Sequence, residues 1–226
     1  HGGWSRHRIT HITLFCILSS RPPIIIMKIL NLYAGIGGNR KLWEGDIEVT
    51  AIENNPKIAE IYKELYPDDE VIVTDAHQYL LEHFTEFDFI WSSPPCPTHS
   101  RLNYPMFKKG KYRYANMDLY QEIILLTWCF KGKFVVENVI SYYHPLIKPQ
   151  LIGRHYYWSN FNIGKTKYKI NDDIANGTFE EMSKYHDINL DKFNIGNKRL
   201  LLRNCVNPQH GLHIFNMAFN DPQLKL

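Results

Sequence analysis

The sequence predicts an α/β fold, a Rossmann-like, doubly wound and mostly parallel sheet. Three observations predict it. Short apolar runs alternate with segments of helical period, a glycine cluster follows the first run directly, and later runs end on an acid or a rigid polar turn.

Met27-Lys28-Ile29-Leu30-Asn31-Leu32-Tyr33 is the first strand, with Ile24 to Ile26 extending it at the front. Ala34-Gly35-Ile36-Gly37-Gly38 follows as a strand-to-helix turn, where glycine admits backbone conformations and ligand approach that other residues hinder. Alone, such a turn suits a cofactor loop and a plain tight turn equally. Ile47 to Glu53 is the second strand. Asn55 caps and Pro56 opens a helix carrying Ile58, Ile61, Tyr62 and Leu65 on one face. Glu53 lies roughly 20 residues beyond the first glycine, where nucleotide-binding folds place an acid on ribose hydroxyls. Glu70 to Thr74 is the third strand, ending at Asp75-Ala76 before a short helix through Leu80, Leu81 and Phe84. Asp75 is suited to accept from a ligand amino group and to cap that helix, and the roles are compatible.

The fourth strand, Phe87 to Trp91, runs into Ser92-Ser93-Pro94-Pro95-Cys96-Pro97-Thr98-His99-Ser100. Proline restricts this turn and holds Cys96 at the carboxyl end of a strand, where open α/β sheets place their chemistry. A lone cysteine is ordinarily a buried thiol, so its surroundings decide its role. Arg101 to Tyr114 combines Arg101, Lys108, Lys109, Lys111 and Arg113 with Tyr104, Phe107, Tyr112 and Tyr114 and holds no acid, a composition suited to phosphate contact and base stacking. Asp118 to Phe130 is a long apolar helix. Lys133 to Val139 is the fifth strand, and adjacency in a parallel sheet brings Glu137 and Cys96 to one pocket. Gln150 to Phe161 holds Arg154 ahead of an aromatic strand, Tyr156-Tyr157-Trp158. Residues 162–197 are polar and weakly periodic, an irregular insertion. Regular pattern resumes at Lys198 to Pro208, and a last helix runs through Leu212, Ile214, Phe215 and Met217.

The 226 residues suffice for one sizeable core. Apolar residues make up 44% and charged residues 22%, and the net charge of +3 does not by itself announce a nucleic-acid partner. Four scattered cysteines, without a zinc-spaced cluster, predict reduced thiols, no metal and a cytoplasmic setting. No run approaches the roughly 20 apolar residues that span a bilayer. Residues 1–26 depart from the pattern and are expected to be a non-native or disordered extension, with the working domain over 27–226.

Together these segments resemble the cytosine-C5 DNA methyltransferases. Asn31 to Gly38 looks like that family's cofactor loop, Ala51 to Asn55 its ribose acid, Thr74-Asp75-Ala76 its adenine-contacting acid and Ser93 to Ser100 its nucleophile loop. Phe134 to Val139 resembles the Glu-Asn-Val strand, Gln150-x-Ile152-x-Arg154 the Gln-x-Arg-x-Arg element, and Arg203 to Gly211 the late Asn-x-Val element. The resemblance implies a class I S-adenosylmethionine-dependent fold. It assigns Cys96 as nucleophile, Glu137 to N3 and the exocyclic amine of cytosine, and Arg154 near O2. It draws the S-adenosyl-L-methionine site from Tyr33, Ala34, Gly35, Ile36, Gly37, Glu53, Asn54, Asp75, Ala76, Pro95, Leu119, Asn204 and Val206. Double-stranded DNA, with its target base flipped, is the implied partner, and Ser100, Arg101, Lys108, Lys109, Lys111 and Arg113 are the expected contacts. A restriction-modification setting in a bacterial or phage-infected cell goes with it.

Three departures are visible. Pro97 stands where the family has glutamine, Ile152 replaces the first arginine of its element, and Asn54 replaces an apolar cover for adenine. The segment 162–197 is small for a target-recognition insertion and implies relaxed specificity or a partner subunit. The rival readings are an N4-cytosine or N6-adenine methyltransferase, whose Pro-Pro turn would carry an aromatic residue in place of Cys96, a transfer-RNA cytosine-C5 enzyme, and a catalytically weak DNA-binding regulator.

Overall fold

The central strands are buried in near-continuous runs, on both faces, so the sheet must be covered on both sides. The computed structural model describes residues 26–166 and 174–219, and the expected extension lies, but for Ile26, outside them, as do residues 167–173 of the insertion. In chain order the elements are β1 (Met27–Leu32), β2 (Ile47–Ile52), α1 (Pro56–Leu65), β3 (Glu70–Ile72), α2 (Ala76–His83), β4 (Phe89–Ser92), α3 (Tyr104–Phe107), α4 (Asp118–Cys129), β5 (Lys133–Val139), β6 (Gln150–Ile152), β7 (His155–Ser159), α5 (Phe179–His186), α6 (Lys198–Arg203) and α7 (Pro208–Phe219). The seven strands are ordered β3-β2-β1-β4-β5-β7-β6. The first five are parallel, and β7 returns antiparallel to both β5 and β6.

Leu30, Leu32, Ile90, Phe134 and Val136 face α2 and α4, packing with Leu80, Leu119, Ile123 and Leu126. Ile29, Val49, Phe89, Trp91 and Val135 face the other way, onto Trp43 and the α7 residues Ile214, Phe215 and Ala218. Each fully buried side chain of this kind contributes about 1.5–3 kcal/mol.

Two expectations are corrected. No helix follows the glycine turn, and residues 33–46 instead run as successive turns and bends. Their polar groups are tied to the rest of the molecule in place of a helical ladder. Asn39 and Asn31 bond each other's side chains, with Asn39 Nδ2 donating over 2.8 Å. Arg40 donates to both oxygens of Asp69 at 2.9 Å and to the Trp43 carbonyl at 2.8 Å. Trp43 stacks on Phe215 and donates to the Gly211 carbonyl at 3.2 Å.

The insertion is also more ordered than its polarity implied. Its helix α5 opens on a reciprocal Thr178–Glu181 capping box. Met182, Ile188 and Leu190 share a small core with Leu202 of α6, Ile61 of α1 and Ile36 of the glycine turn.

Gly211 lies against the backbone of Asn39, and a Cβ there would meet the Asn39 carbonyl oxygen at 2.2 Å. Gly211→Ala is expected to destabilise the fold by about 1–3 kcal/mol through overpacking against immovable backbone, read from the urea midpoint. An unchanged midpoint would contradict this anchoring.

Candidate active site

β1 and β4 are hydrogen-bonded neighbours, and their carboxyl ends deliver the glycine turn and the Pro-Pro-Cys loop side by side. Tyr33 leaves β1 with φ +54°, in the left-handed region, and Gly35 and Gly37 follow at +56° and +73°. A Cβ on Gly35 would point into open space. The turn is closed from behind, since a Cβ on Gly38 would meet Cys205 Sγ at 2.0 Å and the Val206 carbonyl at 2.3 Å. Glu53, 8% exposed at the end of β2, accepts the Gly35 N–H at 3.0 Å and the Asn55 N–H at 2.9 Å. Asp75 is exposed and caps α2 by accepting the Gln78 N–H at 2.8 Å. Ala34, Ile36, Ala76 and Leu119 are buried, while Asn54 and Pro95 are exposed. Asn204 is the exposed C-cap of α6, and half-buried Val206 packs under the sheet.

The Pro-Pro-Cys loop is fixed through its carbonyls. Asn138 Nδ2 donates to the Pro94 carbonyl at 2.9 Å, Asn103 Nδ2 to that of Pro97 at 2.8 Å, and the His99 and Ser100 N–H groups to that of Cys96 at 3.0 and 3.1 Å. β5 lies beside β4, so Glu137 projects under the loop. It is 9% exposed, accepts Ser93 Oγ–H at 2.8 Å through Oε2, and has Oε1 3.5 Å from His155 Nε2. Ser93 is oriented in turn by Trp91 Nε1–H at 2.9 Å. Burial first, and the Glu137 charge second, push the Cys96 thiol up, opposed by a backbone hydrogen bond and by the Arg203 cation. The group is therefore a thiol at rest.

Arg154 occupies the exposed two-residue turn between β6 and β7, which follows from the pairing of Ile152 with His155. That turn lies at the carboxyl end of β5, where Val139 pairs with His155. Gln150 is structural, donating to the Ser159 hydroxyl and the Phe161 carbonyl and accepting the Ile163 N–H. Beyond the loop, Ser100 bridges to Ser141, and Arg101 Nε donates to the Ser141 carbonyl at 3.4 Å. Lys108, Lys109, Lys111 and Arg113 are exposed, as are Tyr104, Tyr112 and Tyr114. Tyr142 supports the stretch by packing edge-on to Phe107 and donating to the Arg113 carbonyl.

The profile of the family described as C-5 cytosine-specific DNA methylase matches residues 27–145, more than half of the chain. The chain belongs to that family. The match covers the glycine turn, Glu53, Asp75, the Cys96 loop and Glu137. No curated protein matches. Among solved structures, the Entamoeba histolytica methyltransferase EhMeth is similar, with a TM-score of 0.50 and 11% identity over 87% of this chain and 99% of that one. A Spodoptera frugiperda DNMT2 mutant gives 0.36 and 26% over 50% and 35%, and the SAM-dependent methyltransferase from Agrobacterium tumefaciens 0.37 and 16% over 53% and 40%. The fold is that of S-adenosylmethionine-dependent methyltransferases, with a cytosine-C5 family sequence laid over it.

The residues present fit that cofactor. Glu53 keeps acceptor capacity beyond its two backbone donors, as a ribose diol requires, and the open space above Gly35 admits a ligand close to backbone. Reading the sequence missed four groups here. His155 beside Glu137 and the buried Glu122 with its partner His77 carry no family motif, and Arg203, which opens the late element, was given no role beside Cys96.

The family member's thiol gives a direct test. Iodoacetamide labelling of Cys96, followed peptide by peptide in the full chain, should continue to accelerate above pH 9, the ordinary thiol value. Glu137→Gln should speed labelling at pH 7 and Arg203→Ala should slow it. Equal rates in all three chains would remove both charges from the account.

Proposed function

We propose that the chain transfers a methyl group from S-adenosylmethionine to carbon 5 of a cytosine flipped out of double-stranded DNA, through a covalent Cys96 adduct. The observation that carries this reading is the convergence of Cys96 and Glu137 at adjacent strand ends, joined through Ser93 and Asn138, in a member of the cytosine-C5 family. Carbon 5 is a poor nucleophile in the aromatic ring. Cys96 first loses its proton to water, and addition of the resulting thiolate at carbon 6 breaks the 5,6 double bond and makes carbon 5 enamine-like. The charge that moves toward N3 and O2 is met by the Glu137 carboxyl group in its protonated form, which donates to N3 while its other oxygen accepts from the exocyclic amine, and by Arg154 at O2. When bound, the cofactor supplies an electrophilic methyl group. After transfer, loss of the carbon-5 proton to water expels Cys96 and restores the ring.

In this reading the turn from Tyr33 to Gly37, with Glu53, Asn54, Asp75, Ala76, Pro95, Leu119, Asn204 and Val206, surrounds the cofactor. The exposed cations from Arg101 to Arg113 take phosphates, and the tyrosines beside them supply stacking surfaces. Residues 162–197 act as a small target-recognition insertion, consistent with short specificity or a partner subunit. A cytoplasmic restriction-modification setting follows the same reading.

The test is transfer of labelled methyl groups to duplex DNA, single-stranded DNA and transfer RNA, with nucleoside analysis of the products. Duplex DNA should yield 5-methylcytosine. Cys96→Ala should abolish it, and Glu137→Gln should slow it by about a hundredfold or more. N4-methylcytosine or N6-methyladenine would overturn the role of Cys96, and labelling confined to transfer RNA would overturn the DNA assignment.

A further inference from the structure

Glu122 is the most deeply buried carboxylate near the site, with no exposure, and the methyl-transfer chemistry does not use it. It projects from α4 toward the sheet face opposite Glu137. Tyr33 O–H donates to its Oε1 and Ser92 Oγ–H to its Oε2, both at 2.6 Å, and His77 Nδ1 lies 3.1 Å from Oε1. These three partners are not neighbours in sequence. Tyr33 opens the glycine turn, Ser92 opens the Pro-Pro-Cys loop, and His77 lies in the first turn of α2 behind Asp75. A left-handed backbone at a residue with a Cβ costs about 1–2 kcal/mol, so Tyr33 needs a tether to stay at φ +54°. Its hydroxyl bond to a desolvated carboxylate is of the strong, charge-assisted kind.

We propose that Glu122 is a positioning residue for the cofactor site: it holds Tyr33, Ser92 and His77 together, and the affinity for the cofactor's adenosyl portion depends on that cluster. This rests on the use of S-adenosylmethionine and is independent of the Cys96 chemistry. His77 supplies the positive charge that a buried carboxylate requires. Its pKa is raised, first by the hydrogen bond to Glu122, with burial opposing and Asp118 and Gln121 of α4 adding to the rise. Tyr33 is pushed up by burial and then by Glu122, with Asp75 and Asp118 contributing, and stays a hydroxyl donor. Because the folded His77 value is raised, the ion pair is fully present at low pH and lost as pH rises through that value. Deprotonation leaves Glu122 buried without its counter-charge, and the tether on Tyr33 loosens.

The experiment measures the affinity of the full chain for S-adenosylhomocysteine by calorimetry between pH 6 and pH 9. This probe lacks the sulfonium charge, so direct attraction of a cation does not enter. The wild-type affinity should fall by about tenfold across the range, the size of one charge-assisted bond. His77→Gln should bind weakly with a flat profile, and Tyr33→Phe should lose several-fold in affinity under conditions where its lowered urea midpoint still leaves the chain fully folded. His77→Gln retaining the wild-type pH dependence, or Tyr33→Phe binding as tightly as wild type, overturns the proposal. Failure to detect 5-methylcytosine in the transfer assay leaves this result intact, because binding is read directly. A wild-type chain that binds no S-adenosylhomocysteine overturns the proposal together with the cofactor assignment.

Discussion

The reversal of strand order between β1 and β4 is the constraint on which the rest depends. From β1 the sheet grows outward through β2 and β3, and from β4 it grows the opposite way through β5, β7 and β6. The chain segments leaving β1 and β4 must therefore diverge, and a crevice opens between them at the carboxyl edge. Everything chemically distinctive in the chain lies at that edge. The glycine turn leaves β1, the Pro-Pro-Cys loop leaves β4, and Glu53 and Glu137 end the strands on either side. The antiparallel β7 covers the far flank of β5 and brings His155 back beside Glu137.

An edge so rich in acids is stable only if each carboxylate is met by donors, and the three buried glutamates are met in different ways. Glu53 is held by backbone N–H groups, which leaves lone pairs for a ligand. Glu137 is held on one oxygen by a serine hydroxyl and faces a histidine with the other. Glu122 takes two hydroxyls and an imidazole and has no solvent access. The progression runs from a carboxylate with lone pairs left open, through one held beside the Pro-Pro-Cys loop, to one wholly engaged in the architecture. A buried acid with three good partners costs little, whereas losing one partner leaves a large desolvation penalty uncompensated.

How much of this was legible follows from which physical signals are local. Strand runs, the Asn55-Pro56 helix start and the Pro-Pro-Cys turn are local, and the structure repeats them. The missing helix after the glycine turn was legible in principle, because residues 38–46 offer only Leu42 and Trp43 as apolar side chains and no helical face. The helix α5 announced itself through Thr178 and Glu181, a capping-box spacing, but the polarity around it hid the signal. Glu122 had a signal as well: it shares the buried face of α4 with Leu119, Ile123 and Leu126, where a charge needs a reason. The identity of its partners was not legible, since Tyr33, His77 and Ser92 meet it only through tertiary packing. His155 and Arg203 fall in the same class.

The resting state of Cys96 follows from the same geometry. Cys96 lies beside the end of the strand that carries Glu137, and that carboxylate raises the thiol's proton affinity. Burial acts in the same direction. Both effects favour the protonated, less nucleophilic form of the cysteine. Arg203 opposes both effects from the end of α6, and the following residues, Cys205 and Val206, close the back of the glycine turn. The segment that encloses the cofactor turn is thus continuous with the cation that favours the thiolate. Packing behind the glycine turn and the charge balance at Cys96 are joined through one short stretch of chain, Arg203 to Val206.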